Sequence, residues 1–150
     1  MTTHFAVELY HQLKADAEAL RMVEDHFCEV APGSIPLALD HGQFEWMCKN
    51  NILHTVTARD DGKLVGYHFT ICKKHLHRDC MAGYVDAFYV SPDHRTGRTA
   101  MRLFQYAEET LLRRGVKWIY SGSKNVKDVG RLMEHLGYTD IERVYLKVLP

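Results

Sequence analysis

The sequence predicts an α/β fold, with a mixed, mostly antiparallel sheet flanked by helices. Three observations predict it: helical apolar spacing in the first fifty residues, alternating β-branched segments over positions 52–90, and strand patterns that alternate with helix patterns after that. The chain has 150 residues, of which 46% are hydrophobic and 25% charged. These values suit one soluble domain spanning residues 1–150.

The N-terminal helices are predicted from one apolar stripe with charged residues between its members. Its spacing indicates one long helix or two short ones, through Leu9, Leu13, Ala17, Leu20, Val23 and Phe27. The segment 31–36, Ala-Pro-Gly-Ser-Ile-Pro, breaks the pattern. Asp40 is a suitable N-cap for a short helix that continues through Phe44 and Met47.

A three-stranded antiparallel meander is predicted to follow. Ile52–Arg59 is rich in β-branched residues, and the sequence Asp-Asp-Gly-Lys at 60–63 is typical of a tight hairpin turn. Leu64–Cys72 is the second predicted strand. A polar turn at 73–79 leads to the third, Met81–Val90.

Strands and helices alternate in the last part of the chain. An amphipathic helix begins near Ala100 and ends at Arg113-Arg114-Gly115, because cations in the last turn and a following glycine are typical of helix C-termini. Val116–Tyr120 is predicted as a short strand. A further helix is marked by Val126, Val129, Met133 and Leu136, and a final strand, Tyr138–Leu149, places Val144, Leu146 and Val148 on one face.

Charge and cysteine content exclude several classes of protein. The 19 basic and 19 acidic residues balance, which argues against broad attraction to nucleic acids or membranes. No signal-peptide pattern is visible and the four cysteines form no CxxC pair, so we expect reduced thiols and a cytoplasmic protein. The turn at 73–80 holds two histidines, an aspartate and a cysteine, but their spacing is not that of a zinc site and the neighbouring cations oppose a metal.

The loop after Val90 carries the clearest functional signal. A strand that enters a small-residue, basic loop and then a helix presents free backbone N–H groups and a positive helix dipole, which suit a phosphate. Gly97 permits close approach of the backbone, Thr96 and Thr99 add hydroxyl donors, and Arg95 and Arg98 can neutralise phosphate charge. An ordinary strand-to-helix connection with surface arginines is the alternative.

This region resembles the GNAT family of acyl-CoA-dependent N-acyltransferases. The family's diphosphate loop reads R/Q-x-x-G-x-G/A after V-x-P, and here Val90-Ser91-Pro92 precedes Arg95–Ala100, with Arg98 at the usual middle glycine and Gly97 displaced by one. Residues 132–138, Leu-Met-Glu-His-Leu-Gly-Tyr, are similar to the family's L-Y-E-K-L-G-F. Residues 61–66 are similar to its Asp-Gly-Lys hairpin. The likeness covers roughly residues 50–149 and implies a first strand as short as Thr3–Val7.

The resemblance implies direct transfer of an acetyl group from acetyl-CoA to a primary amine in a ternary complex, without a metal. The acceptor, a small molecule or a protein amine, is left open, and a homodimer is compatible with the family. Asn125 either bonds the pantetheine or caps the next helix. The residues implied to bind the CoA are Phe88, Tyr89, Val90, Arg95, Thr96, Gly97, Arg98, Thr99, Ala100 and Asn125.

Asp86 is the predicted general base, because period-2 counting places it on one strand face with Tyr84, Phe88 and Val90, where apolar neighbours raise a carboxyl pKa. A purely structural aspartate is the alternative, and Tyr84 and His68 are weaker candidates for the base. The tyrosine that many family members use as the general acid is replaced here by Met133, which cannot donate a proton. The remaining candidates for the acid are Tyr120, Ser121, Ser123, Tyr145 and water, or the thiolate leaves unprotonated.

These departures from the family pattern leave a second reading open. A degenerate fold that binds acyl-CoA without turnover, or a protein-interaction module, is the alternative to an enzyme. A nucleic-acid role ranks below both, because the basic cluster at 73–78 is small and lacks interleaved aromatic residues.

Overall fold

A computed structural model describes residues 2–31 and 35–150 of the chain. Five strands form one sheet in the order β1-β2-β3-β4-β5. The first three pairings are antiparallel and the β4–β5 pairing is parallel, which confirms the predicted mixed, mostly antiparallel sheet. The strands are β1 Thr3–Val7, β2 Leu53–Asp60, β3 Lys63–Lys74, β4 Met81–Val90 and β5 Val116–Tyr120.

The helices are α1 Tyr10–Lys14, α2 Ala17–Val30, α3 His41–Lys49, α4 Thr99–Arg113 and α5 Gly130–His135, with a 3₁₀ turn at Pro92–His94. The N-terminal apolar stripe gives two helices rather than one, because Asp16 caps α2 by accepting a hydrogen bond from the Glu18 N–H at 2.9 Å. Asp40 caps α3 as predicted, through the Gln43 N–H at 2.9 Å. Of the predicted break at 31–36, residues 32–34 lie outside the described residues. None of the described helices is both long and apolar enough to cross a membrane.

Apolar side chains cover both faces of the sheet. One face packs against α1, α2 and α3, through Tyr10, Leu13, Ala19, Met22, Met47, Leu53, Leu64, Tyr67, Phe69 and Tyr89. The other face packs against α4, through Val56, Ala58, Val65, Val90, Leu103 and Ala107, with Cys72, Leu111 and Val116 nearby. The sheet is therefore the middle layer, with a separate core on each side.

The β2–β3 hairpin has the predicted turn. Asp61 and Gly62 have φ values of 49° and 83°, the left-handed pair that a two-residue hairpin with right-handed strand twist requires. The glycine after α4, Gly115, likewise has φ of 83°, as expected for a residue that ends a helix.

Two C-terminal predictions are wrong. Helix α5 is shorter than predicted, because Asp128 accepts from the Ser123 hydroxyl at 2.6 Å and from the Gly130 N–H at 2.8 Å and so holds the preceding residues in a loop. Tyr138–Leu149 is not a strand in this chain. Residues 139–150 have no regular secondary structure and are all exposed, because no described strand pairs with them.

A charged cluster ties β1 to β2 and to the start of α2. The Arg59 guanidinium donates to Glu8 at 2.7 Å and to Asp16 at 3.0 Å, and the side chains of Arg59 and Glu8 are only 24% and 15% exposed. The hydrogen bond from Arg59 holds the pKa of Glu8 below its usual 4.5. The stabilisation from this pair is therefore present above pH 4.5 and is lost as pH falls through the lowered pKa.

Arg59→Met is expected to lower the free energy of unfolding by about 2 kcal/mol at pH 7, because it leaves two partly buried carboxylates without their donor. Urea denaturation at pH 7 and pH 3 measures the loss, which should shrink at the lower pH. The control Arg21→Met removes a 66% exposed arginine 3.8 Å from Glu18 and should change the free energy by less than about 0.5 kcal/mol. An equal loss at both pH values would contradict the assigned ion pairs.

Candidate active site

A β-bulge in β4 sets the position of Asp86. Phe69 pairs with Ala87 and Thr70 with Val85, so Asp86 is the extra residue without a partner on β3. Asp86 and Ala87 consequently both line a cavity on the α1–α3 side of the sheet. The prediction that Asp86 shares a face with Phe88 and Val90 is wrong, since both of these pack toward α4 on the other face. Period-2 counting cannot detect a bulge.

The cavity has a volume of about 250 Å³ and an almost wholly apolar wall. Its charged side chains are Lys14 and Asp86. Lys14 is paired with Glu45 at 2.9 Å, whereas Asp86 has no ion-pair partner among the described residues. The Asp86 carboxyl is thus the one unpaired charge on this part of the wall. The apolar lining comes from α1 and α2, the segment before α3, α3 itself and β3, and includes Leu13, Leu20, Val23, Phe27, Leu37, Leu39, Phe44 and Phe69.

The surroundings raise the pKa of Asp86. Burial among protein atoms is the main cause, and the charge of Lys124 opposes it in part. Asp86 is nevertheless an exposed residue by surface area. Both observations fit the wall of an open cavity, where water reaches a carboxyl that apolar groups surround. A raised pKa makes the carboxylate a stronger proton acceptor than an ordinary aspartate.

A histidine–tyrosine pair lies on the same cavity wall. The His26 Nδ1 and the Tyr67 hydroxyl are 2.8 Å apart, and burial lowers the pKa of His26, which favours the neutral ring. Burial also raises the pKa of Tyr67. Sequence reasoning missed both, because Tyr67 fits the apolar alternation of β3 and His26 is one of ten scattered histidines. His68, a weaker candidate for the base, lies on the other face of the sheet, where its ring centre is 4.6 Å from that of Phe104. Burial there lowers the pKa of His68 to about 3.

The strand β4 separates from β5 in its second half. The last paired residues are Tyr84 and Tyr120, and β4 continues unpaired on that side to Val90. The Ser91 N–H donates to the Val65 carbonyl at 2.9 Å. Since the residues of an antiparallel pair alternate in direction, Tyr89 bonds toward β3, whereas the backbone groups of Phe88 and Val90 point to the open side. The edge predicted to receive an extended ligand therefore has free backbone groups at Phe88 and a free N–H at Val90, whereas the Val90 carbonyl accepts a hydrogen bond from Arg95. The contact at Tyr89 stays a prediction; its backbone faces β3 and its ring is buried on the cavity side.

The loop from β4 to α4 carries a run of free donors. Among the described residues, the backbone N–H groups of Thr96 through Met101 have no hydrogen-bond acceptor, and the N-cap of α4 has no side-chain cap bond. Gly97 has φ of 110°, and no atom lies within 4 Å of the position a Cβ would occupy. Six successive free donors at the N-terminus of a 15-residue helix form the kind of site that holds an anionic group. Arg98, Thr99 and Ala100 belong to this run.

The side chain of Arg95 is directed away from the loop, toward α2 and β4. Its guanidinium donates to Glu29 on α2 at 2.7 Å and to the Val90 carbonyl at 2.8 Å, and it lies 5.1 Å from the centre of the Tyr89 ring. These contacts neutralise its charge and turn it back over β4. The side chain of Arg98 has no ion-pair partner among the described residues and is the cation of this loop that faces solvent.

Tyr84 belongs to an aromatic cluster where β4 and β5 diverge. Its ring stacks on Tyr120 with centres 4.9 Å apart, and the Lys73 ammonium lies 4.6 Å from its centre. The Tyr120 hydroxyl is 3.1 Å from His75 Nε2, and the His77 N–H donates to His75 Nδ1. Both nitrogens of His75 are therefore engaged. No group of three potential metal ligands occurs in the part of the chain that the structure describes.

Asn125 and Met133 are two further residues that the sequence analysis singled out. Asn125 is exposed in the turn Lys124–Lys127 and does not cap α5, whose N-cap is Val129. Lys127 from this turn lies 4.0 Å from Glu29. The turn therefore reaches from β5 toward α2. Met133 is buried, in keeping with a core role.

Comparisons with known proteins agree with this geometry. The sequence profile described as the acetyltransferase (GNAT) family matches residues 18–138. No curated protein sequence matches the chain. The fold is similar to a ribosomal-protein-alanine N-acetyltransferase from Brucella melitensis biovar Abortus 2308, with a TM-score of 0.77 and 20% identity over 99% of this chain and 100% of that one.

Two other solved structures have the same fold. An aminoglycoside acetyltransferase from an uncultured soil metagenomic sample, in complex with sisomicin, has a TM-score of 0.77 and 15% identity over 99% of this chain and 95% of that one. A predicted acetyltransferase with acetyl-CoA from Clostridium acetobutylicum has a TM-score of 0.73 and 13% identity over 99% of this chain and 96% of that one. At these identities the likeness establishes the fold alone.

Proposed function

The chain belongs to the acetyltransferase (GNAT) family, and on that premise we propose that it transfers the acetyl group of acetyl-CoA directly to a primary amine held beside Asp86. The family establishes an N-acetyltransferase that uses acetyl-CoA. The observation that carries the finer proposal is the bulge, which sets an unpaired carboxyl of raised pKa in the wall of a cavity.

Acetyl-CoA is assigned to the open side of β4 and to the loop that follows it. The N–H groups of residues 96–101 bind the diphosphate, with Arg98 adding positive charge. The backbone groups of Phe88 and the N–H of Val90 bond the pantetheine arm as an added strand would. Asn125, in the turn that reaches from β5 toward α2, is a further candidate to bond the pantetheine.

The reaction then needs one base. The amine nitrogen attacks the thioester carbonyl carbon, the Asp86 carboxylate accepts the proton that the nitrogen loses, and the carbon–sulfur bond breaks to release the CoA thiolate. With a thiol pKa of about 8.5, the thiolate is a tolerable leaving group without an acid. Because the thiolate can leave without a general acid, the presence of Met133 in place of the family's tyrosine does not prevent the proposed reaction.

The cavity supports an acceptor with an apolar or aromatic substituent. Its wall is built from leucine, valine and phenylalanine side chains, and the carboxylate of Asp86 is the one unpaired charge on the described wall. A monoamine with a hydrophobic tail can place its nitrogen at Asp86 and bury the tail against α1, α2 and α3. A polycationic aminoglycoside would leave several amines and hydroxyls without partners there.

An amine panel with detection of free thiol tests this proposal. Phenethylamine is expected to exceed an aminoglycoside in kcat/KM by at least about tenfold, which corresponds to burying about two extra methylenes. Leu20→Glu, on the cavity wall, should raise the KM for phenethylamine, whereas Leu112→Glu, an exposed leucine on α4, should leave it unchanged. Preference for the aminoglycoside, or equal effects of the two variants, would contradict the assigned acceptor class.

A further inference from the structure

Glu29, near the C-terminal end of α2, contacts several parts of the protein at once. Its side chain is only 27% exposed. The Arg95 guanidinium donates to Glu29 Oε1 at 2.7 Å, and the Tyr89 hydroxyl donates to the same oxygen at 3.3 Å. The other oxygen, Oε2, lies 4.0 Å from the Lys127 ammonium. One carboxylate of α2 therefore lies against β4, the loop that follows β4 and the turn that follows β5.

These contacts come from both sides of the open slot between β4 and β5. Arg95 belongs to the β4 side, where it also donates to the Val90 carbonyl at 2.8 Å. Lys127 belongs to the β5 side, since it follows that strand in the chain. Strand pairing holds the two sides together only as far as Tyr84. Beyond that point Glu29 bridges them from α2, and a bridge of this kind limits how far the slot can widen.

The same face of α2 is attached to β4 one turn earlier. The His26 ring stacks on the Tyr89 ring with centres 5.0 Å apart and an interplanar angle of 29°. His26 precedes Glu29 by three residues, and residues three apart lie on one face of a helix. The Arg95 guanidinium lies 5.1 Å from the centre of the same tyrosine ring. The end of β4 is thus held by α2 and by the loop together, and the ion pair of Glu29 with Arg95 joins the two.

The charge of Glu29 is opposite to the charge that an anionic ligand requires nearby. The hydrogen bond from Arg95 holds the pKa of Glu29 below its usual 4.5, so the side chain is a carboxylate at neutral pH. Arg95 immediately precedes the free N–H groups of residues 96–101. A carboxylate at this place repels a diphosphate and also neutralises a neighbouring cation. Charge alone therefore predicts that removing Glu29 tightens the binding of acetyl-CoA.

We propose that Glu29 is a positioning residue for acetyl-CoA, which holds the diphosphate loop and both sides of the slot in the arrangement that receives the ligand. This inference rests on the acetyl-CoA site proposed above. Glu29 acts through Arg95 and Lys127 without touching the ligand, and Arg95 tethers the loop without itself binding a phosphate oxygen. A loop that is ordered before binding raises affinity, because the ligand does not have to supply the cost of ordering it. Removing Glu29 should therefore weaken binding, which is the opposite of what charge alone predicts.

Calorimetric titration of acetyl-CoA into the full chain measures the sign of the effect. Glu29→Leu keeps a similar size but cannot accept a hydrogen bond, and its Kd is expected to rise by about tenfold or more. Glu29→Gln keeps an acceptor oxygen for Arg95 and should bind within about threefold of the wild type. The matched control Glu24→Leu removes one negative charge from an exposed position of the same helix and should leave the Kd unchanged.

Steady-state kinetics and a double-mutant cycle distinguish positioning from a general loss of structure. Glu29→Leu should raise the KM for acetyl-CoA while kcat stays within about twofold, because only ligand binding is affected. If Glu29 and Arg95 act as one unit, Arg95→Met and the double variant Glu29→Leu, Arg95→Met should raise the Kd by the same factor as Glu29→Leu. Factors that multiply would mean that Arg95 acts on the ligand independently, and would overturn the proposal.

The remaining outcomes separate this inference from the proposed function. Unchanged or tighter binding by Glu29→Leu would overturn the positioning role. Tighter binding by Glu29→Gln would do the same, and this variant keeps the test decisive if circular dichroism shows that Glu29→Leu is unfolded. An equal loss in Glu24→Leu would mean that the charge of α2, and not the position of Glu29, governs affinity. A wild-type chain that binds no acetyl-CoA would instead remove the proposed site itself.

Discussion

Asp86→Asn is expected to lower kcat for acetyl transfer by about 10²- to 10⁴-fold, the usual contribution of a positioned general base. Asparagine keeps the shape of the side chain but cannot accept the proton from the attacking nitrogen. The Kd for acetyl-CoA should not change, because the proposed diphosphate and pantetheine contacts come from other residues. Steady-state thiol release and calorimetric titration of acetyl-CoA measure the two quantities separately.

The pH profile makes the assignment of Asp86 more specific. Burial raises the pKa of Asp86 above its ordinary 3.8, and only the ionised carboxylate acts as a base. The kcat/KM of the wild type divided by that of Asp86→Asn should therefore fall as pH falls through that raised pKa, and this ratio should level off at higher pH.

Asp61→Asn is the matched control for this substitution. It makes the same chemical change at an exposed hairpin residue whose φ of 49° asparagine tolerates, and it should behave as wild type. A fully active Asp86→Asn variant would remove Asp86 from the mechanism. His26, on the same wall, would then be the next base to substitute.

Gly97→Ala is expected to weaken acetyl-CoA binding by about tenfold or more, since each 1.4 kcal/mol of lost contact is a factor of ten. The φ of 110° at Gly97 strains any residue with a Cβ, while no neighbouring atom lies within 4 Å to clash with it. The loop relieves that strain by changing φ, which turns the N–H groups of residues 97 and 98 away from a bound diphosphate. Calorimetric titration gives the Kd directly.

Gly62→Ala controls for the cost of strain itself. Gly62 has φ of 83° in the β2–β3 turn, and no atom lies within 4 Å of the place that its Cβ would take. Both variants should lose roughly 1–2 kcal/mol of stability, and only Gly97→Ala should bind acetyl-CoA more weakly. Equal affinity in the two variants would mean that the conformation of Gly97 does not matter to the diphosphate.

The sequence predicts the elements well where local signals and tertiary packing agree. The hairpin at Asp61-Gly62, the cap at Asp40 and the strand Met81–Val90 all depend on short-range backbone chemistry, and all occur as predicted. The wrong predictions share a different cause. The face of Asp86 depends on a bulge relative to β3, and the conformation of residues 139–150 depends on whether a neighbouring strand exists.

The features of the candidate site also fall into those that the sequence predicts and those that only the folded structure reveals. The loop after Val90 can be recognised from sequence, because glycine and small residues between a strand and a helix are contiguous in the chain and are typical of a phosphate-binding loop. The pairing of Arg95 with Glu29 and of His26 with Tyr67 joins residues 66 and 41 positions apart, and neither pair leaves a pattern along the chain. The cavity is likewise formed by helices and strands that meet only in the folded protein.

A crystal structure of the wild-type protein with bound acetyl-CoA tests the central claim most directly. We predict diphosphate oxygens about 2.7–3.2 Å from backbone nitrogens of residues 96–101, with the acetyl group at the open side of β4 facing Asp86. A bound acetyl-CoA whose diphosphate contacts side chains elsewhere, with those six N–H groups still free, would contradict it.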